Sequence, residues 1–162
     1  MKLKRSDMLA FLGVEKEGKT TYMRMTKFSQ MAKSKNAKEY THQYVDMDHE
    51  ETDVVGYAES VAFGFDKHTD NEVHASLAEI FDKEMLGDAA VKSIVVVDLT
   101  SSTGNAANYK ARERKYTVVP GDEGGNLDRY DYNGTFKVKS GIVEGTATTT
   151  DEWQTCTFTA SE

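Results

Sequence analysis

Val54-Val55-Gly56-Tyr57-Ala58-Glu59-Ser60-Val61-Ala62-Phe63-Gly64-Phe65 alternates with a period of two. One side carries Tyr57, Glu59, Val61, Phe63 and Phe65; the other carries Gly56, Ala58, Ser60, Ala62 and Gly64. That period predicts a strand. The small-residue face leaves room for another backbone or a helix to approach closely.

Downstream, Asn71 to Leu86 reads as the one helix. Val73, Leu77, Ile80, Phe81 and Leu86 fall near helical spacing. Thr69 with Glu72, or Asp70 alone, can cap its start, and Gly87 supplies the stop. Val73, Leu77, Ile80 and Phe81 are its packing residues, set to lie against a sheet. Everything beyond it reads as strand. Val91 to Leu99 is nearly all apolar, the signature of a strand buried on both faces. Tyr109 to Val119 is charged and β-branched, and ends at Pro120 and the turn-rich run Gly121 to Asn126. In Arg129 to Lys139 the set Tyr130, Tyr132, Phe136 and Val138 alternates with polar residues. Ile142 to Thr150 and Trp153 to Thr159 follow.

Upstream, Thr20 to Phe28 reads as a strand. Residues 30–53 are polar and charged and read as a long loop, holding one alternating piece (Tyr40, His42, Tyr44) and the acidic run Asp46 to Glu51. A loop of that length in a compact domain is usually functional or mobile. Residues 1–20 read as an N-terminal arm with a short apolar segment, closing in a turn at Glu17-Gly18-Lys19. The fold class expected is mainly β (α+β): an antiparallel β-sandwich with one flanking amphipathic helix, as a single domain over 1–162.

The chain has 162 residues and a mass of 18.1 kDa, enough for one domain with a proper core. Its net charge of −7 is the wrong sign for gripping nucleic acid by its phosphates. No apolar run approaches a membrane span, and the opening residues do not read as a signal peptide. The single cysteine, Cys156, cannot form an internal disulfide, and nothing ties the chain to an oxidising compartment.

Gly13-Val14-Glu15-Lys16-Glu17-Gly18-Lys19-Thr20 fits the phosphate-cradling pattern G-x-x-x-x-G-K-[ST], and Ile94 to Asp98 fits a magnesium-holding strand. In that alternative Lys19 holds phosphates, while Thr20 and Asp98 hold magnesium. Three features oppose it. Glu15 and Glu17 would sit beside a triphosphate. Thr21 to Thr26 has little helical propensity where a helix N-terminus should face the anion. The alternating β–α order of a doubly wound sheet is missing. A plain β-turn at Glu17-Gly18 is the simpler reading.

Asp46-x-Asp48-x-Glu50 resembles the start of a calcium loop, but Glu51 stands where glycine is needed and Tyr57 where glutamate is needed. His42, His49, His68 and His74 lack metal-ligand spacing. Cys156 on an apparent strand reads as a buried small hydrophobe. No catalytic constellation, metal site or cofactor is expected.

Two stretches together resemble the tail tube (major tail) proteins of tailed bacteriophages and phage-like particles, notably of Gram-positive hosts. The first is Tyr44-Val45-Asp46, Glu50-Glu51, Val54 to Tyr57, Glu59-Ser60 and Asp66, running through the helix to Gly87-Asp88-Ala89-Ala90. The second is Asn133 to Phe136, Gly141, Val143 to Thr148, Trp153 and Phe158. The resemblance lies in element order and spacing, from about Thr20 onward. It implies a non-enzymatic virion protein, assembled in the host cytoplasm into stacked hexameric rings that form a hollow tube for double-stranded DNA. The partners it implies are other copies of itself, the tape measure, the tail terminator, baseplate or tip proteins and, in a contractile tail, a sheath; no membrane is involved. A tail terminator is the alternative within the same class. The resemblance makes residues 30–53 the loop reaching the adjacent ring, with Lys35, Asn36, Tyr40, Tyr44, Asp46, Asp48, Glu50 and Glu51 as its assembly residues. Glu59, Asp131 and Glu144 are the candidate acidic residues of the channel wall, where like charge would let DNA slide.

Overall fold

The computed structural model describes residues 2–101 and 108–161. Its elements in order are β1 (Met8–Lys16), β2 (Lys19–Arg24), β3 (Phe28–Ser34), β4 (Lys38–His42), β5 (Glu51–Gly56), β6 (Ser60–Asp66), α1 (Glu72–Asp82), β7 (Val91–Asp98), β8 (Tyr109–Gly125), β9 (Tyr130–Val138), β10 (Val143–Thr148) and β11 (Thr155–Ala160). The fold is mainly β, with a large antiparallel sheet and one helix, in a β-sandwich-type α+β arrangement.

Nine strands form that sheet, in the order β10-β11-β2-β1-β7-β8-β9-β6-β3, and β10 also pairs with β8. The extra pairing closes β10, β11, β2, β1, β7 and the first half of β8 into a ring. The second half of β8 carries β9, β6 and β3 onward as a four-stranded sheet. The length of β8 makes this division possible: Tyr109–Glu113 pairs with β10, and Tyr116–Gly125 pairs with β9 on the same side.

Alternation along the shared strands builds two cores. Odd residues Leu9, Phe11, Val95, Val97 and Ala111 point into the strand ring with Ala147 and Cys156. Even residues Leu12, Val14, Ile94, Tyr116 and Val118 point the other way, toward Phe63, Phe65, Phe136 and α1. β1 and β7 are therefore both buried on two faces. The apolar run of Val91 to Leu99 predicts this for β7; residues 1–20, predicted to be an N-terminal arm, instead hold the central strand β1 over Met8–Lys16.

The cap of helix α1 is Asn71, one residue after Asp70 and two after Thr69. The Asn71 side chain accepts from the backbone N–H of Val73 and His74, at 3.0 and 3.2 Å. It buries Val73, His74, Leu77, Ala78, Ile80 and Phe81 and ends at Asp82. Leu86 lies beyond the helix and is exposed, so the apolar stripe stops at Phe81.

Residues 30–53 are not a loop. β3 pairs with β6, and β4 pairs with β5 as a separate two-stranded sheet. The predicted strand over 54–65 is correspondingly broken at Tyr57-Ala58-Glu59 into β5 and β6. Gly13–Thr20 is a tight β1–β2 hairpin, with Lys16 opposite Lys19 and positive φ at Glu17 (52°) and Gly18 (77°). A strand follows Thr20 where a nucleotide loop needs a helix. Lys19 and Asp98 lie at opposite ends of β1, which pairs with Lys19 through Lys16 and with Asp98 through Met8. That separation is about 25 Å along the strand.

His74 is fully buried beneath the sheet. Its Nδ1 accepts from the His68 backbone N–H at 3.1 Å, and its Nε2 donates to the Thr26 carbonyl at 2.9 Å. Its ring stacks on Phe65 at 4.5 Å. Burial lowers its pKa below 6.5, and the Thr26 hydrogen bond only partly opposes this. The unfolded chain therefore binds a proton that the folded one refuses. The contribution is fully present above about pH 6.5 and is lost as the pH falls below it. Between pH 7.5 and 5.5 the melting temperature should drop more in the wild type than in His74→Gln. Parallel curves would remove His74 as the cause.

Candidate functional site: a projecting hairpin and two open sheet edges

β3 and β6 leave the main sheet as one ribbon, which breaks at residues 35–37 and 57–59 and resumes as the β4–β5 hairpin. At the break, Asn36 takes a left-handed backbone (φ 48°), and its Nδ2 donates to the Ala58 carbonyl at 2.9 Å and to Ser60 Oγ at 3.1 Å. The Ala58 N–H donates to the Lys35 carbonyl. These bonds tie the two strands together where the ladder is interrupted.

Beyond the break the hairpin stands free. Tyr40, Tyr44, Val54, Val55 and Tyr57 are each more than half exposed, and Val45 at the tip is fully exposed. One face is a ladder in which His42 stacks on Tyr40 at 5.2 Å and lies 5.0 Å from Tyr44, with Glu51 and Asp53 on the opposite strand. His42 Nδ1 is the buried side-chain polar atom without a hydrogen-bond partner among the described residues. The Gln43 side chain and the Met47 N–H close the tip, leaving Asp46, Asp48 and Glu50 exposed around it. An isolated hairpin is marginally stable in water, and this one leaves those apolar side chains exposed.

At the root sits Glu59, only 2% exposed. Arg114 Nη1 donates to its carboxylate at 2.6 Å, Tyr116 Oη at 3.3 Å, and Lys33 and Lys35 lie at 3.3 and 3.5 Å. Burial alone would raise the Glu59 pKa, but Lys33, Lys35 and Arg114 outweigh it and hold it below the ordinary value. Burial and then the Glu59 charge push the Tyr116 hydroxyl up to about 12. Glu59 thus lies in the break between β5 and β6 as a buried anchor, its carboxylate turned inward onto Arg114 and Tyr116 and away from any exposed surface of this chain. Glu144 is exposed but lies on β10, outside the four-stranded sheet, near Lys110 and Arg112. Asp131 does face outward on that sheet. It sits opposite Asp66 and is held by Arg129 at 3.0 Å and by Asn126.

The four-stranded sheet is open at both sides. β3 is terminal in the strand order, so one of its edges has no partner strand among the described residues. On the far side, β7 accompanies β8 only to Thr117, which leaves Val118–Gly125 without a partner strand on that edge among the described residues. Pro120, lacking an N–H, sits in this free run. The free face between the edges carries Ala32, Ser34, Ser60, Ala62 and Thr135, with Lys115, Lys137 and Lys139 toward the hairpin end and Asp66 and Asp131 toward the other.

No group of His, Cys, Asp and Glu that could hold a metal is found among the described residues, and no helix there is long and apolar enough to cross a membrane. Cys156 is buried, and burial pushes its thiol up to about 12, too high to supply a thiolate. No protein-family model matches the chain, and no curated protein matches it.

Proposed function

We propose that this protein is a structural, non-enzymatic component that self-assembles into the hollow tube of a phage or phage-like tail. The observation that carries this reading is the four-stranded sheet with one free edge at β3 and the other at Val118–Gly125. Free edges are templates for pairing with another chain. The strands of the sheet alternate in direction, so β3 and β8 run oppositely. A neighbour rotated about a common axis therefore brings its β8 antiparallel to β3, extending the same sheet around a ring. The projecting β4–β5 hairpin supplies a contact out of the ring, toward the next one. The free sheet face then lines the channel, with small residues such as Ala32, Ala62 and Thr135 along it and Lys115, Lys137 and Lys139 at its hairpin end. The family resemblance adds tape measure, terminator and baseplate proteins as partners, and a virion location.

Negative-stain microscopy of the purified chain at high concentration tests the reading. Rings stacked into tubes are expected. Single rings that never stack would assign the chain to the terminator class, and a monomer under all conditions would overturn self-assembly.

A further inference from the structure

The two layers of the sandwich are not filled along their whole length. α1 packs Leu77, Ile80 and Phe81 into one part of the gap. The rest is an open apolar groove of about 320 Å³ between Met8, Ala10 and Val96 on one wall and Met31 and Val61 on the other. Arg5 and Lys33 line it as well. Arg24 extends the cationic side into the adjoining hollow along β3.

We propose that this groove is the receptor for the hairpin tip, Tyr44 to Glu50, of a second copy of the chain. Three observations converge on that occupant. The tip presents Val45 fully exposed and Tyr44 more than half exposed. Its charge is opposite to that of the groove: between Lys38 and Lys67 the sequence has no Lys or Arg, and Asp46, Asp48, Glu50 and Glu51 cluster at the tip. The tip also stands away from its own groove. Beyond the break at residues 35–37, β4 (Lys38–His42) carries the tip about 15 Å further at strand spacing, while the groove lies beside Lys33 at the hairpin's root. Tip and groove are different patches, so the contact is head-to-tail and repeats from copy to copy without closing on a pair. This inference rests on the tube reading and gives the out-of-ring contact its address. Apolar insertion supplies affinity, and Arg5 and Lys33 facing the tip carboxylates set register and partner choice.

Full-length Val45→Cys and Met8→Cys proteins, mixed under mild oxidation, test the address; buried Cys156 stays out of the reaction. The mixture should give a disulfide-linked pair about tenfold more readily than either protein alone, as expected when binding raises the local thiol concentration. In parallel, Arg5→Glu should raise the concentration needed for stacking about tenfold, the value of one like-charge contact at an interface. Asp46→Lys with Asp48→Lys should do the same, and the oppositely charged variants mixed together should recover stacking. Circular dichroism melting of Arg5→Glu should match the wild type, because among the described residues that side chain bonds only the nearby Met8 carbonyl. Wild-type tubes with no cross-link and no effect of Arg5→Glu would overturn the groove while leaving the tube reading intact. A cross-link without tubes would keep the groove and remove the tube, and a wild-type chain that neither cross-links nor assembles would remove both.

Discussion

Glu59→Ala is expected to lower the unfolding free energy by about 3 kcal/mol, because it strips the shared carboxylate from a buried charge cluster. Glu59 is surrounded by Arg114, Lys33, Lys35 and the Tyr116 hydroxyl. Lys33 and Lys35 are half-exposed and can return to water at little cost. Arg114 cannot do so as readily: its side chain is 16% exposed, and its Nε is already committed to the Ser140 carbonyl at 2.9 Å. The loss therefore falls mainly on Arg114, left with an unpaired charge. Glu59→Gln keeps an acceptor and should cost about half as much. The double variant Glu59→Ala, Arg114→Ala should lose clearly less than the sum of the single changes, since each single change already breaks the pair.

Acid should mimic the substitution. The Glu59 pKa is lowered, so its contribution is present above 4.5 and is lost as the pH falls from there toward the folded value. Urea titrations at pH 7 measure the stability terms. Amide exchange at Ala58, whose N–H bonds the Lys35 carbonyl, reports the hairpin root directly and should speed up in Glu59→Ala. A loss under about 1 kcal/mol, the range of an exposed ion pair, would show that Glu59 does not anchor the root.

The same residue shows how much of the molecule was legible in the sequence. Alternation placed Glu59 on one side with Val61, Phe63 and Phe65, and that pattern already pointed into the core. The resemblance alone puts Glu59 in a channel wall, against that pattern and against its burial. β6, β7 and β9 were readable because their burial is one-sided or continuous, and the period records it. β1 was not, because its Leu-Phe-Leu run is short and charged residues flank it on both ends. The hairpin was harder still. Both its faces meet solvent, so no apolar period exists, and Tyr40-His42-Tyr44 was the only trace of pleating. The groove between Met8 and Met31 belongs to residues distant in sequence, and only the closure of the strand ring brings them together. The cap at Asn71 in place of Asp70 is a boundary shift of one residue, which local chemistry cannot resolve when several capping side chains adjoin.

Gly145→Ala is expected to be at least as damaging, by about 3 kcal/mol or more, through overpacking at the point where the strand ring closes. β10 is the closing strand: Gly145 lies opposite Ala111 of β8 on one side and Ala160 of β11 on the other. A Cβ at Gly145 would run into the Thr159 carbonyl oxygen, and would lie 2.9 Å from Ala160 Cα and 2.8 Å from the Phe158 ring. Two of those three are backbone, so no rotamer change relieves them; β11 must move. Moving β11 weakens its short ladder to β2, which rests on Thr155 opposite Met23 and Cys156 opposite Tyr22. Gly145, Ala147 and Ala111 are also the small residues that leave space for the larger side chains of this core, where Trp153 packs on Phe11 at 6.1 Å and on Tyr109 at 5.5 Å. Trp153 is the one tryptophan in the chain, so its fluorescence reports this core alone. In Gly145→Ala the emission should shift toward the red and unfold at lower urea. The α1 side of the molecule, built on Phe63, Phe65 and Phe136, should keep its helical circular dichroism up to that transition. An unchanged emission maximum with wild-type urea resistance would mean that β10 does not hold the ring shut at Gly145.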